Sequence, residues 1–237
     1  MVKLSKRMSA AADRIDRDKL HSPDEALTIL KEMSKVKFDE TVELHIKTNA
    51  DTRHADQMVR GVTVLPNGLG KQVRVLVFTR AEGVEIAKQS GADFVGEDDL
   101  ISDIEGGWLE FDVGLATPDV MPKISKLGPV LGRRGLMPNP RNGTLVQARD
   151  LPRAIEEARQ GRVEFRTDRT SIIHNPIGKI SFEVEQLMEN LTVLIDSINR
   201  EKPTEIKGTF FKTAFLTSTM GPSVQLDVQQ LLAMKVE

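Results

Sequence analysis

The chain has 237 residues, of which 39% are apolar and 29% are charged, a composition typical of a soluble globular protein. It contains no cysteine, which excludes disulfide bonds, thiolate metal sites and a cysteine nucleophile. The formal net charge of −2 argues mildly against a nucleic-acid partner, although a binding face is local and net charge is a sum over the whole surface.

Residues 1–68 are predicted to begin an α+β domain. The run Ser22-Pro23-Asp24-Glu25 has the pattern of a capping box with proline at the first helical position, and it predicts a helix to about Met33. Val42, Leu44 and Ile46 alternate with polar residues, which predicts a half-buried strand. We expect no membrane span, because no apolar run of ~18 residues occurs. We expect no secretory signal, because Met1 to Asp18 alternates charges and has no apolar h-region.

Residues 69–159 alternate strand and helix. The β-branched run Val73 to Phe78 predicts a strand, and Ala81 to Gln89 predicts a helix that stops at a Ser-Gly pair. Phe111 to Leu115 predicts a second strand, and Asp150 to Arg159 has one apolar helical face. This rhythm favours a small α/β sandwich with a largely parallel sheet.

Residues 160–237 return to an α+β pattern. Four strands are predicted, at Arg162 to Phe165, Ser171 to His174, Thr209 to Leu216 and Val224 to Val228. Between them, apolar residues at spacings of three and four predict an amphipathic helix, and these are Val184, Leu187, Met188, Leu191, Leu194, Ile195 and Ile198.

The two outer segments are expected to share one core, because the apolar stripe of the helix and the alternating strands need cover. We therefore predict a discontinuous domain of residues 1–68 plus 160–237, with residues 69–159 inserted. Glycines near both crossings, at 68–70 and at 161, would allow the domains to move as on a hinge. Small-angle scattering of the free and bound protein tests that movement.

No catalytic motif is present in the sequence. It lacks a nucleophile elbow, a P-loop and a dinucleotide fingerprint, and its four histidines have no metal-ligand spacing. We expect no catalytic residue, no metal ion and no cofactor. Two alternatives to RNA binding stay open: a nucleotide- or sugar-phosphate-binding enzyme that uses the inserted domain, and a protein–protein scaffold.

Two segments stand out by composition. Residues 123–144 are rich in glycine and proline and contain no acid, which suits either a surface connection with tight turns or a loop that contacts phosphates. Their five basic residues are Lys123, Lys126, Arg133, Arg134 and Arg141. Residues 213–222 are uncharged and suit either a strand end or a site where Thr217 and its neighbouring hydroxyls meet ribose or phosphate.

Five blocks, spread along the chain, resemble one family. The run Gly128 to Pro140 (GPVLGRRGLMPNP) is similar to the signature of the large-subunit ribosomal protein "L one" family, the protein of the mobile stalk beside the exit site. Further blocks at Lys37 to Glu43, Gly70 to Val75, Ala116 to Met121 and Thr219 to Pro222 resemble the same family, so that nearly the whole chain is covered.

The resemblance implies a split ferredoxin-like α+β domain with an inserted Rossmann-like α/β domain. It also implies a non-enzymatic, cytoplasmic ribosomal protein that binds large-subunit ribosomal RNA, helps deacylated transfer RNA leave the exit site and represses its own operon messenger RNA. Off the ribosome we expect a monomer, without a membrane partner.

Two clusters match the family's RNA contacts by position. The first contains Lys37, Phe38, Thr41 and Glu43, and the second contains Thr213, Thr219, Met220 and Gly221. We expect Lys37 to meet a phosphate and Phe38 to support the neighbouring loop, while Glu43 accepts from a ribose or base or orients Lys37. The basic residues of 123–144 are expected to be a secondary RNA contact.

Overall fold

The computed structural model describes residues 5–16, 19–206 and 208–234. Its helices are α1 (Lys6–Ala12), α2 (Pro23–Met33), α3 (Glu82–Gln89), α4 (Asp98–Glu105), α5 (Met121–Ile124), α6 (Gly128–Leu131), α7 (Leu151–Arg159), α8 (Val184–Arg200) and α9 (Val228–Ala233). Its strands are β1 (Thr41–Thr48), β2 (Arg60–Val64), β3 (Val75–Phe78), β4 (Phe94–Gly96), β5 (Val113–Ala116), β6 (Arg162–Arg166), β7 (Ile172–Lys179), β8 (Phe211–Ser218) and β9 (Val224–Leu226).

The chain divides into two compact units. One unit runs up to Gly70 and resumes at Val163, and the other is Lys71–Arg162. We call them the split unit and the inserted unit. The domain boundaries predicted from the sequence, at the glycine turns, lie two residues before the first of these boundaries and three residues before the second. The first strand after the insertion begins at Arg162.

The split unit contains a four-stranded antiparallel sheet in the order β7-β1-β8-β9. In β1, Val42, Leu44 and Ile46 are buried, so one face of the sheet packs on the core that α2 and α8 also line. The other face carries the half-buried side chains of Glu43 and His45. Strands β2 and β6 form a separate two-stranded sheet.

The inserted unit contains a three-stranded parallel sheet in the order β4-β3-β5. All four residues of β3 are buried, as expected for a central parallel strand with both faces covered. Alternate β3 side chains belong to two different clusters of apolar side chains, one on each face of the sheet. These two clusters form the core of the inserted unit. The predicted fold class is confirmed, because an antiparallel α+β unit carries an inserted parallel α/β unit.

Several local predictions were wrong in extent. The predicted strand Val224 to Val228 ends at Leu226, because Asp227 caps the N–H of Gln229 and begins α9. The predicted strand Ser171 to His174 continues to Lys179 as β7, where pairing with β1 overrides the local preferences of Pro176 and Gly178.

The capping box at α2 is half formed. Ser22 Oγ accepts from Glu25 N–H at 3.2 Å, but the Glu25 carboxylate lies 3.2 Å from Lys19 Nζ.

The basic segment 123–144 also differs from a plain loop. It contains α6 and several single turns, and Ile124, Leu127 and Leu131 are buried in the core of the inserted unit.

Candidate nucleic-acid interface

The two predicted contact clusters meet at one end of the β1–β8 pair. Thr219 N–H donates to the Thr41 carbonyl at 3.1 Å, and Thr41 N–H donates to Thr219 Oγ1 at 3.0 Å. Residues 178 positions apart are thereby fixed side by side. We call the surface made by residues 37–41 and 217–221 the strand-end surface.

A buried carboxylate joins the two halves of this surface. The side chain of Glu40 accepts from Met220 N–H at 2.7 Å and from Ser218 Oγ at 3.2 Å, and it also accepts from Ser34 Oγ. Glu40 is only 1% exposed, and a buried carboxylate is tolerated when donors satisfy it. The role of Glu40 is not predictable from the sequence pattern, because its partners Ser218 and Met220 are remote in the chain.

Two large apolar side chains are exposed on the strand-end surface. Phe38 is 54% exposed and Met220 is 46% exposed, so Phe38 is not a core residue. Lys37 is exposed beside Phe38 and has no ion pair within the described part of the chain. An exposed aromatic ring, a polarisable thioether and a free ammonium can together cover a base, a sugar and a phosphate.

Gly221 is required by close packing. A Cβ at this position would lie 2.4 Å from Ser218 Oγ, the hydroxyl that Glu40 holds. The Gly221 carbonyl accepts from Thr217 Oγ1 at 3.4 Å. Any side chain at 221 would displace Ser218 and loosen the turn that presents Met220.

The hydroxyls of the surface have partners within the protein. Thr41 Oγ1 accepts from Lys179 Nζ at 2.9 Å, and Thr217 Oγ1 lies 3.1 Å from the Ser218 carbonyl. Because a hydroxyl oxygen has two lone pairs and one proton, each retains capacity for further hydrogen bonds. These threonines therefore hold the surface in shape in addition to any contact they make.

Glu43 lies beside a pair of histidines. Its carboxylate lies 3.7 Å from His45 Nε2, and His45 Nδ1 lies 2.8 Å from the Nδ1 of His174 on the neighbouring strand. Burial lowers the pKa of His45, and the nearby His174 lowers it further, while Glu43 opposes them. Among the described residues no ion pair joins Glu43 to Lys37, and both roles considered for Glu43 stay predictions.

Thr213 lies apart from the rest of its predicted cluster. It is the cross-strand partner of Lys47, whereas Thr217 is the partner of Glu43. Six residues of extended strand separate Thr213 from Thr219, roughly 20 Å. A cation that the sequence did not predict reaches the strand-end surface. Arg7 Nη1 donates to the Met220 carbonyl at 3.0 Å. No sequence signal connects residues that are 213 positions apart.

The basic residues of the inserted unit differ in their pairing. Lys123 Nζ lies 2.8 Å from Asp98 and 3.0 Å from Glu97, and the hydrogen bonds that it donates to these carboxylates raise its pKa. The other four are exposed and have no ion pair with a described residue; they are Lys126, Arg133, Arg134 and Arg141.

Within the described ranges, no three His, Asp or Glu side chains are grouped so that they could hold a metal ion. In the same ranges, no helix has both the length and the apolar character needed to cross a membrane.

Residues 30–222 match the Ribosomal protein L1p/L10e family. The chain is 52% identical over 234 residues to "Large ribosomal subunit protein uL1" of Dehalococcoides mccartyi, and the match covers 99% of both chains. It is 46% identical to the protein of the same name from Gloeobacter violaceus, over 100% of this chain and 99% of that one. The Thermomicrobium roseum protein of that name is 52% identical over 96% of this chain and 95% of its own length.

An antiparallel α+β unit that is split in the chain by a parallel α/β unit defines the class of fold. The chain belongs to the Ribosomal protein L1p/L10e family, and the resemblance seen in the sequence is confirmed. It is therefore a structural large-subunit ribosomal protein of this family and not an enzyme. Its relatives are large-subunit ribosomal proteins, which work in the cytoplasm.

Proposed function

We propose that the strand-end surface binds the large-subunit ribosomal RNA of the mobile stalk. The observation that supports this most directly is the pair of exposed apolar side chains, Phe38 and Met220, on a backbone that the buried Glu40 fixes. Folded RNA is recognised mainly by shape, by stacking and by its 2′-hydroxyls. A preformed surface with few charges suits that kind of recognition.

Each predicted contact residue except Thr213 has a chemical role in this proposal. Lys37 meets a phosphate, and Phe38 and Met220 pack on bases or sugars, instead of Phe38 only supporting its loop. Gly221 lets the RNA backbone approach the turn closely. Thr41, Thr217, Thr219 and Glu43 offer hydrogen-bonding groups to ribose or base edges, and Arg7 adds a second cation.

The basic residues of the inserted unit are a secondary contact in the same proposal. Arg133, Arg134, Arg141 and Lys126 have free charges to offer to phosphates, whereas Lys123 has its charge occupied by Glu97 and Asp98. We expect Lys123 to contribute least of the five.

Two wider roles follow from the family resemblance. The protein assists release of deacylated transfer RNA from the exit site when the stalk moves. It also represses translation of its own operon messenger RNA, which presents a mimic of the ribosomal site. Off the ribosome it acts as a monomer.

Replacement of Met220 by aspartate tests the binding surface. We expect Met220→Asp to abolish binding of a stalk RNA fragment in a filter assay, because a negative charge then stands beside phosphate. Leu232→Asp is the matched control, since Leu232 is also exposed, at 42%, on α9 of the same unit. Binding by Met220→Asp within a few-fold of the unmodified protein would contradict the assignment.

A further inference from the structure

A second cleft lies away from the strand-end surface. It has a volume of about 390 Å³ and is lined by Thr52, Met58 and residues 166–169. Strand β6 ends at Arg166, β7 begins at Ile172, and the loop between them forms one wall. The predicted contact clusters contain none of these residues.

The cations of this cleft are unpaired. Arg166 and Arg169 are exposed, and neither has a carboxylate within ion-pair distance among the described residues. In contrast, Arg60 on the neighbouring strand lies 2.9 Å from Glu164. The planar guanidinium group donates in a fork that matches the oxygens of a phosphate.

The carboxylate in the lining is occupied. Asp168 accepts from Thr170 N–H and from Ile172 N–H, each at 2.8 Å, and from the Thr170 hydroxyl. Burial raises the pKa of Asp168, but these hydrogen bonds outweigh it and bring the pKa to about 2. These hydrogen bonds close the loop and constrain the backbone from which the two arginine side chains extend.

The loop is also tied to β1 and to the segment after it. Thr52 Oγ1 donates to the Arg169 carbonyl at 2.9 Å, and Lys47 Nζ donates to the Thr170 carbonyl. A rigid cationic loop loses little conformational entropy when it binds a ligand.

An apolar side chain lies beside the arginines. Met58 is 37% exposed in the cleft, one of six large apolar side chains that are exposed in the described ranges. A small anion would need no such group, whereas a ribose or base next to a phosphate would pack on the thioether. The cleft therefore combines an exposed methionine with two cations, as the strand-end surface combines Met220 with Lys37 and Arg7.

The cleft lies at the opposite end of β1 from the strand-end surface. Thr41 and Thr48 are the two ends of this strand, and seven residues of extended chain span roughly 24 Å. Thr213, paired with Lys47, lies toward the cleft end.

We propose that this cleft binds the sugar–phosphate backbone of the same structured RNA, as a second anchor at the far end of the sheet. The proposal rests on the proposed function, because it takes the RNA from there. An acidic protein segment is the competing ligand.

The test uses the full chain with Arg166→Gln and Arg169→Gln together. Binding to a stalk RNA fragment is measured by filter assay across a potassium chloride series. We expect affinity to fall roughly tenfold or more at low salt. The slope of log affinity against log salt should become shallower by roughly 0.7 to 0.9 for each lost phosphate contact.

A charge-matched control is Arg153→Gln with Arg200→Gln, since these arginines are bound by Glu157 and Asp196. It should leave the slope unchanged. Equal slopes for the cleft variant and this control would overturn the proposal, as would loss of binding to poly-glutamate with unchanged RNA affinity.

A second measurement leaves the protein unmodified. The methyl NMR signal of Met58 should shift when the stalk fragment is added, and an unchanged signal in the bound complex would overturn the proposal. Failure of the proposed function has a different signature: Met220→Asp would then bind as well as the unmodified protein.

Discussion

At the scale of single residues, Glu40 determines whether the strand-end surface exists. Its carboxylate is the shared acceptor for groups from two remote segments, Ser34 on one side and Ser218 with Met220 on the other. A buried acceptor that loses its donors, or a donor that loses its acceptor, costs more free energy than the hydrogen bond itself contributes. Glu40 thus positions Met220 without needing to contact RNA.

Replacement of Glu40 by glutamine tests this role. The amide has one acceptor oxygen in place of two, so a donor among Ser34, Ser218 and Met220 loses its partner. We expect Glu40→Gln to lower the free energy of unfolding by roughly 1–3 kcal/mol. We also expect weaker binding of stalk RNA. Urea denaturation and a filter assay measure the two effects.

Glu32→Gln is the control for this variant, because Glu32 is an exposed residue of α2. A variant at position 40 that retained both the stability and the RNA affinity of the control would show that the carboxylate does not hold the surface.

At the scale of elements, the start of β3 depends on one charged side chain. Asp112 accepts from Lys71 Nζ at 2.6 Å and from Arg74 N–H at 3.1 Å. Burial raises the pKa of Asp112, but the hydrogen bonds from Lys71 and Arg74 outweigh it and bring the pKa to about 2. Because the folded-state pKa lies below the ordinary 3.8, this stabilisation is present above about pH 4 and is lost as pH falls toward 2.

Asp112→Asn should therefore destabilise the inserted unit at neutral pH by roughly 1–3 kcal/mol and remove part of its acid sensitivity. Trp108, the single tryptophan of the chain, packs on Phe94 at 4.7 Å in this unit, so its fluorescence reports unfolding here. Asp119→Asn, at an exposed position, is the control. Equal melting curves for both variants at pH 7 would contradict the prediction.

The elements that the sequence predicted well are those whose pattern is local. The alternation in β1 and the apolar stripe of α8 each repeat along one short segment, and both are buried as expected. The polar N-terminal helix α1 and the short α9 were not predicted, because their apolar contacts come from remote segments. The last five residues of β7 were also missed, since their pairing with β1 is a long-range effect.

The candidate site was predictable in part for the same reason. The residues of the strand-end surface were predicted from their positions in the family's motifs. The basic segment of the inserted unit was predicted from its composition. Glu40, Arg7 and the Arg166–Arg169 cleft were missed, because their roles depend on partners more than 100 residues away or on a loop fold. The placement of Thr213 away from Thr219 follows from strand register, which motif matching does not encode.

At the scale of the whole molecule, the split unit has a core of its own. The buried apolar residues from both of its chain segments form one cluster, and no described residue of that cluster belongs to the inserted unit. A compact unit with its own core can fold independently. The chain interruption between Gly70 and Val163 therefore does not interrupt the hydrophobic core.

Excision of Lys71–Arg162, with a short Gly/Ser linker in its place, tests this independence. We expect a cooperative thermal transition by circular dichroism. We also expect stalk RNA binding within roughly tenfold of the full chain, the loss reflecting the absent arginines of the inserted unit. A shortened chain without a cooperative transition would mean that the split unit needs the insertion in order to fold.

The hydrogen bond between Glu40 and Met220 can form only late in the synthesis of the chain. These residues are 180 positions apart, and a ribosome that adds roughly 5 to 20 residues per second needs about 10 to 40 seconds between them. During that interval a nascent chain cannot present the finished surface. A copy still attached to the translating ribosome therefore lacks the proposed RNA-binding surface until the segment around Met220 has been added.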